Sequence, residues 1–404
     1  MTKRRLAAKY VGFVIIPMFG AVTPLLALPA ISSMFGQPGW AAIALGQSLG
    51  SAVSVFVELG WALTGPQQVA RLSVDKRGRL YRLALVTKLT VAVPALILAA
   101  ALALVIAPSY PLESALAAAG ATVAGLTVSW YFLGTGQPHL ILLLDSIPRL
   151  FAVALSSVAL LLGAPLVVSP LALIAVSLAV PFLGLVAVPA GVAGSYRNEV
   201  LPTLRKQGHA LLARGLSAVY ISLPVAIVGV VAPGALPVFA AAERLQRMAL
   251  AIIQSVPNAL QSWVGSSHGS SQLRSRISRS IGINIALGLF AGVAFALMAP
   301  KAAQLIFAGT LELPLSLTVL SGLVIFLSCI SRATGGLGLV ALGNVAGIAV
   351  SALVGAVIGV CAIAVFGSIQ GAHGAMIGEI LAETSVLALQ TVFLGSAIRL
   401  SRLE

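Results

Sequence analysis

Eight charged side chains stand inside otherwise apolar runs of this chain: Glu58, Asp145, Arg149, Glu243, Arg244, Arg247, Glu379 and Glu383. At the centre of a bilayer each such charge costs about 2.5–3.5 kcal/mol on insertion scales. All eight facing lipid would cost roughly 20–28 kcal/mol, more than the ~5–15 kcal/mol margin of a typical fold. They must therefore face one another or water. Guanidinium groups grip phosphate oxygens two at a time, and carboxylates in a hydrated cavity exchange protons or hold Na+. These residue types point to holding an anion and coupling to an ion, not to covalent catalysis.

Their spacing supports a shared polar interior, because a helix advances about 100° per residue and the polar positions recur on one face. One stripe is Gln47, Ser51, Ser54, Glu58; a second is Asp145, Arg149, Ser156. The longest is Glu243, Arg247, Gln254, Asn258, Gln261, followed by Ser321, Ser328, Arg332 and by Glu379, Glu383, Gln390. Asp145 and Arg149 are also placed to neutralise each other one turn apart.

The elements that must carry these stripes follow from composition. Of 404 residues 59 % are hydrophobic and 8 % charged, with a mean hydropathy of +1.07; a water-facing surface uses about 25 % charged residues. A cytosolic enzyme, a secreted disulfide scaffold and a free nucleic-acid-binding protein are excluded. Apolar windows fall near 10–31, 40–62, 83–107, 113–133, 140–162, 166–192, 214–232, 238–262, 280–299, 314–331, 337–365 and 373–397, each about the length of a membrane crossing. The basic run at Lys3-Arg4-Arg5 suits a leader peptide, but no small-x-small cleavage site follows, so 10–31 is read as a retained span.

The net charge of +14 is distributed rather than clustered. Twenty Lys and Arg, Lys88 among them, are assigned to the termini and the even-numbered loops, and the odd-numbered loops hold only Lys301. That asymmetry places both termini and the basic loops in the cytoplasm and leaves no need for a nucleic-acid partner. Cys329 and Cys361 read as membrane-core packing, and the repeat Gly343, Gly347, Ser351, Gly355, Gly359 as a close-packing seam. Pro148 beside Arg149 and Pro257 beside Asn258 mark kinks.

Several motif matches fail in context. Gly46-Gln47-Ser48-Leu49-Gly50 fits a nucleophile elbow but lies mid-helix, and Gly336, Gly338 and Ala341 lack the strand of a dinucleotide fold. His139, His209, His268 and His373 show no metal-ligand spacing, and no Walker A loop or DxD pair occurs. No enzyme activity, cofactor or metal is expected.

Three segments carry a family likeness. Leu28-Pro29-Ala30-Ile31-Ser32-Ser33-Met34-Phe35-Gly36, with Gly39-Trp40 and Ala44-Leu45-Gly46-Gln47-Ser48, resembles the start of bacterial polysaccharide and O-antigen flippases of the multidrug/oligosaccharidyl-lipid/polysaccharide exporter superfamily. Trp130-Tyr131-Phe132-Leu133-Gly134 and Ile147-Pro148-Arg149 resemble that family's aromatic-Gly turn and fifth helix, and Phe239-Ala240-Ala241-Ala242-Glu243-Arg244 resembles its eighth. Leu133, where the family often has Gln, and Trp263, near a common second proline, depart from the pattern.

The resemblance implies an all-α membrane protein of about twelve helices in two six-helix lobes, 1–200 and 201–404, around a polar central lumen. It implies a flippase moving undecaprenyl-pyrophosphate-linked oligosaccharide across the bacterial plasma membrane by alternating access, with a polysaccharide polymerase or other assembly protein as partner. Head-group ligands would be Arg149, Arg244 and Arg247, with Arg332 as first contact and Gln47, Gln254 and Asn258 on sugar hydroxyls. Glu58, Asp145, Glu243, Glu379 and Glu383 would couple to H+ or Na+. The alternative is a cation-coupled multidrug exporter of the same superfamily, whose acidic lumen residues would hold cationic drugs. A membrane glycosyltransferase is disfavoured by the short loops.

Overall fold

Every regular element among the described residues is a helix, as the twelve apolar windows require. The computed structural model describes residues 23–189, 196–266 and 270–400, so most of the first expected span, 10–31, lies outside the described residues. The chain divides into two compact units, Met1–Ala226 and Ile227–Glu404.

In the N-terminal unit, α1 (Leu28–Glu58) contains a sharp turn at Gly36, whose φ of +62° is a conformation that L side chains avoid, and Pro38 opens the segment beyond it. That turn ends the first expected span and starts the second. Two short breaks then separate α2 (Trp61–Arg71) and α3 (Val74–Ile106). The fourth expected span is not one helix. It comprises α4 (Pro111–Val123), a 3₁₀ turn at Ala124–Leu126, an extended Thr127, and α5 (Ser129–Gly134). A short helix at Pro138–Ile141 and a π-helical turn at Leu142–Ser146 lead into α6 (Ile147–Leu161), so the irregularity expected beside Arg149 is a widened turn just before Pro148. α7 (Val168–Ala187) follows, and α8 (Arg197–Val231) runs out of this unit.

The C-terminal unit holds α9 (Leu236–Ile253), α10 (Ser255–Gly265), α11 (Ser270–Ile306), α12 (Leu315–Ser331) with a π-helical extension over Arg332–Leu339, and α13 (Val345–Leu400). The eleventh span therefore begins at Val345 rather than 337. α13 doubles back at Gly371, φ +59°. A Cβ at Gly374 would lie 1.8 Å from the Phe366 carbonyl oxygen, one at Gly378 2.5 Å from the Ile363 nitrogen, and one at Gly355 2.2 Å from Val386. These three contacts share one antiparallel register, so α13 is a hairpin of the two last expected spans.

Backbones touch elsewhere at glycines. Cβ atoms at Gly46 and Gly50 would meet the carbonyls of Ser114 and Ala118 at 2.1 and 2.2 Å, which makes the supposed nucleophile elbow a packing face of α1 on α4. Gly292 of α11 and Gly322 of α12 meet in the same way at 2.5 Å. Of the seam expected in the eleventh span, Gly347, Ser351, Gly355 and Gly359 are buried, but Gly343 is an exposed turn residue at φ +73°. Cys329 is buried as expected; Cys361 instead is exposed. Eight helices are long and apolar enough to cross a membrane among the described residues. Their outer faces carry residues such as Phe290 and Leu305, 74 % and 80 % exposed, which hydrocarbon rather than water must cover. The chain is a multi-pass membrane protein.

Candidate functional sites in the two helical units

In the N-terminal unit the break between α4 and α5 decides the chemistry. Unwound backbone at membrane depth leaves carbonyls without helical donors, and they must find others. Lys88 of α3 supplies them. Its Nζ donates to the carbonyl oxygens of Gly125 at 3.2 Å and Thr127 at 3.1 Å, with the Trp130 ring centroid 6.0 Å away. Lys88 is 2 % exposed, so its assignment to a cytoplasmic loop was wrong. Lys88 instead sits on α3 inside the apolar window that starts at residue 83.

Thr127 connects this cage to the pair expected from spacing. Its hydroxyl donates to Asp145 Oδ2 at 3.3 Å, and Arg149 Nε donates to Asp145 Oδ1 at 2.5 Å, so the two form the local ion pair. Arg149 Nη1 also donates to Ser177 Oγ of α7 at 2.9 Å. Gln47 and Glu58 stand half-buried on α1, a different helix from the pair, and Ser51 is exposed. A buried aromatic block packs beside Lys88. Trp61 and Trp130 centroids are 5.0 Å apart, Tyr81 meets Tyr131 edge-on at 5.1 Å, and the Tyr81 hydroxyl donates to the Pro181 carbonyl at 2.7 Å.

In the C-terminal unit the expected stripe of the eighth span is cut at Gln254, because Pro257 has no N–H to offer the Ile253 carbonyl. The two halves join different neighbours. Upstream, Glu243 is buried and paired with Arg247 one turn on, and Arg244 is half-buried beside them. Gln246, which the stripe reading passed over, donates from Nε2 to Glu379 Oε2 at 3.0 Å. Both are buried. Glu383, one turn beyond Glu379, lies within reach of Ser328 and the Arg332 charge.

Downstream, Gln254 Nε2 donates to Asn258 Oδ1 at 3.0 Å, and these two with Gln261, Ser331, Arg332 and Gln390 line a cleft of about 350 Å³. Arg332 Nη1 donates to the Leu250 carbonyl at 3.0 Å, which orients the guanidinium. Gln390 is held by Thr334 Oγ1 at 2.6 Å and Ser331 Oγ at 3.3 Å. Gly335 and Gly336 line the same cleft, and a Cβ at Gly335 would strike the Gln390 amide at 2.6 Å. The lining includes a cation, three glutamines, an asparagine and a serine and, among the described residues, no carboxylate. Such a surface binds anions and hydroxyl-rich groups.

Of the residues singled out from sequence, Asp145 with Arg149, Glu243 with Arg247, and Gln254 with Asn258 and Arg332 are brought together. Lys88, Thr127, Ser177, Gln246 and Gln390 complete these groups. Their partners lie between 18 and 133 residues away in the chain, or on a helix break, as Thr127 with Asp145 and Gln246 with Glu379 illustrate; the available signals were that Lys88 lay five residues inside an apolar window starting at 83 and that Gln390 continued the stripe of Glu379 and Glu383. Among the described residues no group of three or more His, Cys, Asp or Glu is placed to hold a metal ion.

No protein-family model matches the sequence, and no curated protein matches it. Solved structures do match its fold. The lipid II flippase MurJ in an inward closed conformation superposes with a TM-score of 0.67 at 11 % identity, over 95 % of this chain and 87 % of that one. An inward-facing multidrug resistance MATE family transporter of the MOP superfamily gives 0.60 at 14 % identity, over 97 % and 98 %. A MATE in a bent conformation gives 0.54 at 18 % identity, over 96 % and 95 %. These neighbours are transporters and flippases, not enzymes. The chain has the all-helical fold of MOP-superfamily transporters, two six-helix lobes, as its sequence led one to expect.

Proposed function

We propose that this chain is a flippase for lipid-linked oligosaccharide. It carries an undecaprenyl-pyrophosphate-linked polysaccharide repeat unit from the inner to the outer leaflet of a bacterial plasma membrane by alternating access, coupled to H+ or Na+. The observation that carries this reading is the cleft around Arg332, where a guanidinium stands beside amide side chains and no carboxylate among the described residues lines it. A guanidinium matches a pyrophosphate oxygen pair, and Gln254, Asn258, Gln261 and Gln390 match sugar hydroxyls. A cationic drug would meet the like charge of Arg332 there. Four of the five acids that such a drug would need are engaged: Asp145 with Arg149, Glu243 with Arg247, Glu379 with Gln246, and Glu383 with Ser328 and the Arg332 charge. In this reading Arg149, Arg244 and Arg247 contact the head group at later stages of transit, and Glu58 and the acids of both units are the pool from which the coupling group is drawn. Both termini face the cytoplasm, and a polymerase working on the outer side receives the flipped unit.

Mass spectrometry of polyprenyl-pyrophosphate-linked oligosaccharides tests it. A host strain lacking the chain is expected to accumulate the complete repeat on its lipid carrier and lose surface glycan. Re-expression of the native chain, or of Lys301→Ala on an exposed site, restores both; Arg332→Ala does not. An unchanged lipid pool together with lost tolerance to cationic dyes would replace this reading by the multidrug exporter.

A further inference from the structure

The α4–α5 break exposes two carbonyl oxygens, Gly125 and Thr127, on one side of a helix terminus, with the Trp130 ring nearby and the Asp145 carboxylate one hydroxyl away through Thr127. Broken membrane helices of this kind coordinate cations, because freed carbonyls and the negative end of a helix dipole together replace a hydration shell. Here the position is filled from within the chain. The Lys88 ammonium points two N–H donors at the two carbonyls and lies near the Trp130 ring. A lysine that is 2 % exposed in a membrane helix is costly unless it satisfies something that would otherwise cost more.

We infer that Lys88 is a built-in cation: its ammonium occupies the monovalent-cation position created by the α4–α5 break, and the N-terminal unit takes no free Na+ or K+ there. Arg149 on the far side of Asp145 reinforces this, since the carboxylate already has a cationic partner. The consequence for transport, which rests on the transporter reading, is that any exchangeable coupling ion works through acids outside this cage, Glu58, Glu243, Glu379 and Glu383. The site itself is tested without transport, so its failure and the failure of the cargo assignment are separate events.

The full-length chain is purified in detergent and its thermal unfolding followed at constant ionic strength, with choline chloride replaced stepwise by NaCl, KCl or methylammonium chloride. The native chain and Lys88→Arg, which keeps a tethered cation, are expected to show the same dependence of Tm on each salt. Lys88→Ala and Lys88→Met vacate the cage; their Tm is expected to be lower in choline and to recover saturably, on the order of 5 °C between ~1 and ~100 mM of an added cation. A folded Lys88→Ala chain whose Tm depends on added cation no more than the native chain's overturns the inference. Radioactive Na+ binding to the native chain decides independently of whether the variants fold. Binding lost in Asp145→Asn but retained in the doubly substituted Glu379→Gln, Glu383→Gln chain overturns the inference, and absence of an Asp145-dependent component upholds it.

Discussion

Removing Arg149 should cost more than removing Asp145, although the two form one ion pair. The side chains are 20 % and 11 % exposed, so neither is screened well by water. Arg149→Ala leaves a buried carboxylate whose remaining hydrogen bond is the 3.3 Å contact from Thr127, and breaking a buried pair in this way costs about 3–5 kcal/mol. Asp145→Ala leaves the more exposed partner, with Ser177 still at 2.9 Å, and Thr127 keeps Ser129 within 3.0 Å, so its cost should sit at or below the low end of that range. At roughly 2–4 °C per kcal/mol for a unit of this size, Arg149→Ala lowers the apparent Tm by roughly 6–20 °C. The double variant buries no charge at this pair and should resemble the milder single variant, giving a coupling energy equal to the Arg149→Ala cost, about 3–5 kcal/mol. The assay is loss of the monodisperse peak on size exclusion after heating, for all four members of the cycle at one salt concentration. Additivity within ~0.5 kcal/mol, or a larger loss in Asp145→Ala than in Arg149→Ala, would refute the reasoning.

Two further outcomes concern the C-terminal unit. Gln246→Leu strips Glu379 of its 3.0 Å donor and should destabilise by about 1–3 kcal/mol, whereas Glu379→Gln removes the charge and brings an amide to the buried Gln246 Oε1, which has no partner; its Tm should stay within ~3 °C of native or rise. Gly374→Ala drives a Cβ into the Phe366 carbonyl and should abolish accumulation of folded protein, while Gly208→Ala, with nothing within 4 Å, should express at the native level; fluorescence-detected size exclusion of tagged chains separates the two.

What the sequence determined by itself is what depends on solvent and on local geometry. A chain that is 8 % charged cannot clothe a water-facing surface, so the membrane, the helices and their approximate number follow from composition and length alone. The i,i+4 spacing of Asp145 with Arg149 led directly to a pair that forms, and Glu243 and Arg247, read only as members of one stripe, pair at the same spacing. Proline at 148 and 257 located the irregular turns to within a few residues, since a missing N–H acts on its own helix.

Tertiary structure decided everything that requires two distant segments to meet. Lys88 looks like the last member of a cytoplasmic basic run, and only the unwinding of a different helix at Thr127 makes it a buried donor. Gln246 has no advantage over its neighbours until the α13 hairpin returns Glu379 to it across 133 residues. The stripe from Glu243 to Gln261 reads as one face because periodicity assumes a straight helix, and the break at Gln254 then sends its halves to different partners. Burial makes these contacts consequential. In water each lone polar group would be solvated where it stands, but inside a membrane it must be satisfied by another part of the chain, and which part is a property of the fold.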